Sequence, residues 1–214
     1  MVLQEKLERE NKMIGKWNKS VIMSYIGLSL SILGIYLLIN NYEIKYAITC
    51  LIAAGVCDMF DGTIARMCKR TEEEKLFGIE LDSLVDVFNF VAFPLIILFN
   101  LGLTELYHLP VYIIYAIFGI ARLAHFNITV EDTNKPRKYY EGLPVTLSAL
   151  IFPLVFLLSF VLDKCLFNTI YLITVLVVGI LFILKIKIPK PTTKTSILIL
   201  LVAIVVTILY LFVL

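Results

Sequence analysis

Apolar runs alternate with short polar breaks along this chain, at about 20–40, 46–66, 76–101, 108–126, 144–162, 168–185 and 195–214. Each is close to the ~20 residues that a helix needs to cross a hydrocarbon core. The pattern therefore predicts an all-α integral membrane protein with about seven transmembrane helices. Ahead of them, Leu3, Leu7, Ile14 and Trp17 fall roughly on one helical face among Lys and Glu, with Glu10 breaking the stripe. Residues 1–19 are expected to form a cytoplasmic, interfacial amphipathic helix, with a solvated tail as the alternative reading. Residues 20–214 are expected to form a single transmembrane domain. The charged first nineteen residues lack an apolar core and a small-residue cleavage site, so no cleavable signal peptide is expected.

The second and third spans break the apolar pattern. Between Cys57 and Asp86 they carry Asp58, Asp61, Asp82 and Asp86. An ionisable group in a spanning helix costs upwards of about 2.5 kcal/mol on insertion scales, so four together mark a functional site. Asp58 and Asp61 are three apart and Asp82 and Asp86 four apart, so each pair projects from one helical face. Two such pairs facing each other form a carboxylate cage. Ionised together they would repel, which calls for a cation between them. Oxygen ligands with no His or Cys beside them favour Mg²⁺, Mn²⁺ or Ca²⁺ over zinc, as one ion or two, and Mg²⁺-like ions often share ligation with substrate phosphate. Gly62 and Ala65 leave backbone bare for a large ligand, and Arg66 can pair with a phosphate.

The series Asp58-x2-Asp61-Gly62-x2-Ala65-Arg66, then Gly78-x3-Asp82-x3-Asp86, resembles the signature of the CDP-alcohol phosphotransferase family of integral membrane enzymes. Eleven residues separate Arg66 from Gly78, against about eight in the family pattern; the additional ones fall in Lys69 to Lys75, which reads as a loop. Arg122-Leu123-Ala124-His125-Phe126-Asn127, then Gly142-Leu143-Pro144, with Leu81-Asp82-Ser83-Leu84 and Pro94, is similar to the phosphatidylserine synthase branch. His125 stands where that branch has arginine. The resemblance is dense over about residues 55 to 145, and beyond that only general hydrophobicity is shared.

The resemblance implies a six-helix family core plus an additional helix, a homodimer, and transfer of a phosphatidyl group from CDP-diacylglycerol to the hydroxyl of L-serine, releasing CMP. Metal would be held by Asp58, Asp61, Asp82 and Asp86, and Asp86 is also the candidate general base, two roles that sequence does not separate. Asp58, Gly62, Ala65, Arg66 and Gly78 would receive CDP-diacylglycerol. Arg122 is the first candidate for the serine carboxylate, with Asn127, Arg137 and Lys138 behind it; a plain interfacial arginine is the competing reading of Arg122. Mg²⁺ or Mn²⁺ is the expected cofactor, with Ca²⁺ as an occupant that does not activate. Glycerol phosphate or inositol phosphate as acceptor, or a divalent-cation transporter, are the alternatives. Acceptors with a phosphate would call for more basic residues than the one arginine of the fourth span.

Composition narrows this further. Of 214 residues, 60% are hydrophobic and 17% charged, which excludes an ordinary soluble domain, and nothing in the pattern calls for nucleic acid. Cys50, Cys57, Cys68 and Cys165 have no metal or redox spacing and are expected to be free thiols. Sixteen Lys and Arg fall in the N-terminal tail and alternate loops, against Lys45 and Lys164 on the other side. The positive-inside rule then predicts a cytoplasmic N-terminus, an outside C-terminus and a site near the cytoplasmic face of the cell membrane.

Overall fold

The structure is a computed structural model that describes residues 15–131, 139–189 and 192–213. Residues 1–14 of the expected amphipathic helix, together with Arg137 and Lys138, lie outside the described residues. Residues 15–18 of that segment are not helical. They lead into a 3-10 turn at Lys19–Val21 capped by Asn18, with Trp17 stacked on Tyr25 and Lys16 bonded to Glu73 at 2.8 Å, a contact that holds its ammonium above the usual range.

Among the described residues seven helical elements follow. They are α1 (Ile22–Ile39), α2 (Ile44–Met67), α3 (Glu72–Asn100), α4 (Leu109–Glu131), α5 (Val145–Phe160), α6 (Lys164–Ile183) and α7 (Thr193–Phe212). Six of these, α5 excepted, are long and apolar enough to cross a membrane. The fifth expected span, 144–162, is slightly shorter than predicted: Pro144 caps its start, and both ends tighten into 3-10 turns around an α segment that contains Pro153. At 1.5 Å per α residue and 2.0 Å per 3-10 residue it is about 28 Å long, just under the ~30 Å of a hydrocarbon core.

The charged stretch Lys69 to Lys75 is a loop only as far as Thr71. Thr71 accepts from the Glu74 amide while the Glu74 carboxylate accepts from the Thr71 amide. That capping box starts α3 four residues earlier than the hydropathy pattern implies. Three glutamates in the first turn then face the positive end of the helix dipole. The residues by which the motif spacing departs from the family pattern thus become nearly one turn of helix. α3 is about 44 Å long, so its acidic first turns extend past the apolar core.

α1 packs along α2 on a stripe of small residues, Ser24, Gly27, Ser31 and Gly34. At Gly34 a Cβ would sit 2.3 Å from the Phe93 ring of α3 and 3.1 Å from the Cys50 Cβ of α2, so glycine lets α1 approach both helices. The buried core lies behind the site, where Phe90, Tyr115, Phe152 and Phe182 meet. Two short strands, β1 (Tyr139–Glu141) and β2 (Lys187–Pro189), pair antiparallel beside the end of α4.

Within α3 the helix widens into a π turn at Val87–Ala92, directly after Asp86, and Pro94 follows. Pro94 has no amide to offer the Phe90 carbonyl. The Tyr115 hydroxyl (2.6 Å) and the Ser148 hydroxyl (3.2 Å) donate to that oxygen instead, tying α3 to α4 and α5. Tyr115→Phe is expected to destabilise the protein by about 1–2 kcal/mol, because the carbonyl loses its shorter partner in a dry core. Thermal unfolding in detergent measures this; an unchanged midpoint would show that Ser148 alone satisfies the carbonyl.

Candidate metal centre

All four aspartates sit in the half of the bundle where α2 ends and α3 begins. Asp58 and Asp61 lie in the last turns of α2, and Asp82 and Asp86 lie about 15–21 Å along α3 from its start. Because the two helices run antiparallel, residues earlier on α2 meet residues later on α3. Asp58 meets Asp86 and Asp61 meets Asp82 through their carboxyl groups. The (i, i+3) spacing on one helix against (i, i+4) on the other is what an antiparallel pair allows within one helical turn. Asp86 is buried, while the other three are half-buried.

One carboxylate oxygen from each of Asp58, Asp82 and Asp86 lies within 4.8 Å of the others. Asp61 stands outside this trio and reaches it through Asp82. Among the described residues no Lys or Arg forms a salt bridge with any of the four. An all-oxygen set converging from two helices, with no protein cation inside it, fits a hard divalent ion.

The cleft that holds them is closed on one side by α1. Met23, Ser24 and Gly27 line it together with the four aspartates and Asn89. None of these α1 residues, nor Asn89, stood out in the sequence. The only available hints were the small residues of α1 and the recurrence of a polar residue three positions after Asp86.

At the mouth, Gly62 is exposed, and a Cβ there would meet only Arg66 Nη1, at 3.6 Å. Gly78 is half-buried, and a Cβ there would meet Arg70 Nη1 at 3.8 Å. Arg66 is exposed and donates to Thr63 Oγ1 at 3.1 Å, and Ala65 is half-buried. The glycines therefore leave free surface on both facing helices, next to a guanidinium.

Arg122 does not extend to an interface as a snorkelling arginine would. It is 9% exposed, its guanidinium lies over the Phe126 ring at 5.2 Å, and its Nε has no hydrogen-bond partner among the described residues. Asp86 and Asp58 lie within its electrostatic reach. Tyr140 of β1 also interacts with it, and burial raises the Tyr140 phenol above its usual range. Asn127 accepts from Ser83 Oγ at 3.0 Å, which braces α4 against α3 one residue from Asp82. His125 faces Glu141 at 3.7 Å.

A helical bundle of membrane-spanning length with a carboxylate cage in one half defines an integral membrane protein of the all-α class, built around a site suited to a divalent cation. The chain matches the CDP-alcohol phosphatidyltransferase family over residues 17–182, and it belongs to that family. It is similar to the CDP-diacylglycerol–serine O-phosphatidyltransferase of Saccharomyces cerevisiae, with 38% identity over 44% of this chain and 35% of that protein. The enzyme of the same name from Helicobacter pylori strain 26695 is 35% identical over 56% of this chain and 49% of its own length. That of Mycobacterium leprae is 32% identical over 51% and 37%. The alignments thus span less than half the length of each of these relatives.

Proposed function

We propose that this protein transfers the phosphatidyl group of CDP-diacylglycerol to the hydroxyl of L-serine, forming phosphatidylserine and CMP. The observation that carries the proposal is the trio Asp58, Asp82 and Asp86 beside open glycine surfaces and a buried arginine; the names of the similar proteins support the choice of serine. Asp58, Asp61, Asp82 and Asp86 would hold Mg²⁺ or Mn²⁺, one ion or two. A bound divalent cation neutralises the diphosphate and favours the departure of CMP.

The residues of the chain divide the remaining work. Gly62, Ala65 and Gly78 admit the cytidine diphosphate between α2 and α3, and Arg66 adds positive charge at the mouth. Asp86 receives the proton of the serine hydroxyl as its oxygen attacks the phosphorus that carries diacylglycerol. The bond from that phosphorus to the CMP oxygen breaks, and CMP leaves. Arg122 binds the serine carboxylate: a guanidinium already desolvated and stacked has little freedom left to lose on binding an anion. Asn127 keeps α4 in place through Ser83, and Arg137 and Lys138, outside the described residues, are the weaker candidates for the serine carboxylate.

β1 before α5 pairs with β2 after α6, so we read the short α5 as crossing together with α6; with seven crossings the basic loops favour an N-terminus and a site at the cytoplasmic face and a C-terminus outside. That depth lets the lipid enter sideways and the nucleotide leave into water. Residues 20–214 act as one domain behind the N-terminal segment, as a homodimer in a cell membrane.

Purified protein with CDP-diacylglycerol and Mn²⁺ tests this through CMP release with serine, glycerol 3-phosphate, inositol phosphate or no acceptor. Serine alone is expected to stimulate release. Stimulation by another alcohol would overturn the acceptor, and no release at all from folded, metal-loaded protein would overturn the reaction. In the same assay Arg122→Ala is expected to raise the serine KM by about 10–100-fold with little change for CDP-diacylglycerol, as loss of a charge-assisted bond to a carboxylate predicts. An unchanged KM would remove Arg122 from the acceptor site.

A further inference from the structure

Asn89 and Ser24 are polar side chains of the cleft for which the reading above has no use, and Asn89 is the one with a buried atom left unpartnered among the described residues. It lies three residues after Asp86 inside the π turn, is 2% exposed, and lines the same cleft as the four aspartates. Its Oδ1 is buried without a hydrogen-bond partner among the described residues. The fold does not neglect this stretch in general: the carbonyl of the very next residue, Phe90, receives two hydroxyl donors. α1 presses in so closely that a Cβ on Gly27 would stand 3.3 Å from Asn89 Nδ2 and 3.5 Å from the Cys57 Cβ. With Nδ2 against α1, Oδ1 is left for the cleft.

A buried acceptor oxygen beside three converging carboxylates is matched to a cation. We propose that Asn89 Oδ1 is a further ligand for the divalent ion held by Asp58, Asp82 and Asp86, or for a water bound to that ion, and that Gly27 lets α1 hold the amide in that orientation. The inference rests on the metal reading given above. A neutral oxygen suits this position because it adds a ligand without adding to the negative charge of four carboxylates. Amide carbonyls serve hard divalent ions in this way.

The test uses the full chain in detergent with Mn²⁺ alone, free Mn²⁺ being read by electron paramagnetic resonance. Asn89→Leu, which keeps the branching at Cγ and removes the oxygen, is expected to weaken Mn²⁺ binding about tenfold or more, the scale on which even outer partners of metal sites act. Asn89→Asp keeps the oxygen and adds charge, so it is expected to bind Mn²⁺ at least as tightly as the parent. Thermal unfolding of the metal-free Leu variant is the control: loss of an unpartnered polar atom offsets the added side-chain volume, so its midpoint is expected close to that of the parent.

Parental Mn²⁺ affinity in Asn89→Leu, or weakening in Asn89→Asp, would overturn the proposal. So would a lowered unfolding temperature with unchanged affinity, which would assign Asn89 to packing. If the Leu variant does not fold, the Asp variant decides alone. Failure of the parent protein to bind Mn²⁺ would overturn the metal reading itself, an outcome distinct from a failure at Asn89.

Discussion

Replacing Asp86 by Asn is expected to lower serine-dependent CMP release by at least about a hundredfold, the lower end of what a positioned proton acceptor contributes. The substitution changes charge and proton affinity but almost no volume, so the buried packing beside the π turn survives. Asp86 is the most buried of the four aspartates and meets Asp58 across the cleft. It is therefore the carboxylate best shielded from water as proton acceptor, and its loss also removes one of three converging oxygens. Measuring Mn²⁺ affinity alongside turnover separates the two roles. Lost turnover with near-parental affinity assigns the base, and joint loss assigns the ligand. Turnover within about threefold of the parent would remove Asp86 from the chemistry.

Stripping divalent metal with a chelator is expected to reduce turnover to the blank and to lower thermal stability, both restored by Mg²⁺ or Mn²⁺. The stability effect follows from the cage. Carboxylates converging within 4.8 Å repel when ionised, and an ion that binds only the folded arrangement shifts unfolding by mass action. At a hundred times its dissociation constant that shift is about 2.7 kcal/mol. Ca²⁺ is expected to restore stability without turnover, since its looser, larger shell fits oxygen ligands but orients them less strictly. Full turnover in protein shown by elemental analysis to be metal-free would sink the metal reading.

Several features were legible in the chain because their causes are local. Runs of about 20 apolar residues define helices wherever they occur, and six of the seven expected spans have membrane-crossing length. The aspartates announced themselves by cost, being charged groups in segments that otherwise read as lipid-soluble. The start of α3 was missed although its signal was present: Thr71 and Glu74 form a capping box that a hydropathy pattern does not weigh. The start of α5 was likewise written in Pro144.

Other features had no local cause to read. Arg122 looks the same in sequence whether it extends to an interface or folds back over Phe126 into the bundle; only the neighbouring helices decide. Asn89 is an unremarked polar residue until α1 covers it at Gly27.

By itself the sequence determined the class of protein, the face of each helix that carries carboxylates and the kind of ion they suit, because side-chain spacing and hydropathy act within a single helix. The tertiary structure decided which carboxylates meet. It grouped Asp58 with Asp82 and Asp86 and left Asp61 to the side. The physical reason is that register between helices depends on contacts far apart in the chain: the capping box that starts α3, the π turn after Asp86, and the small residues that draw α1 against α2.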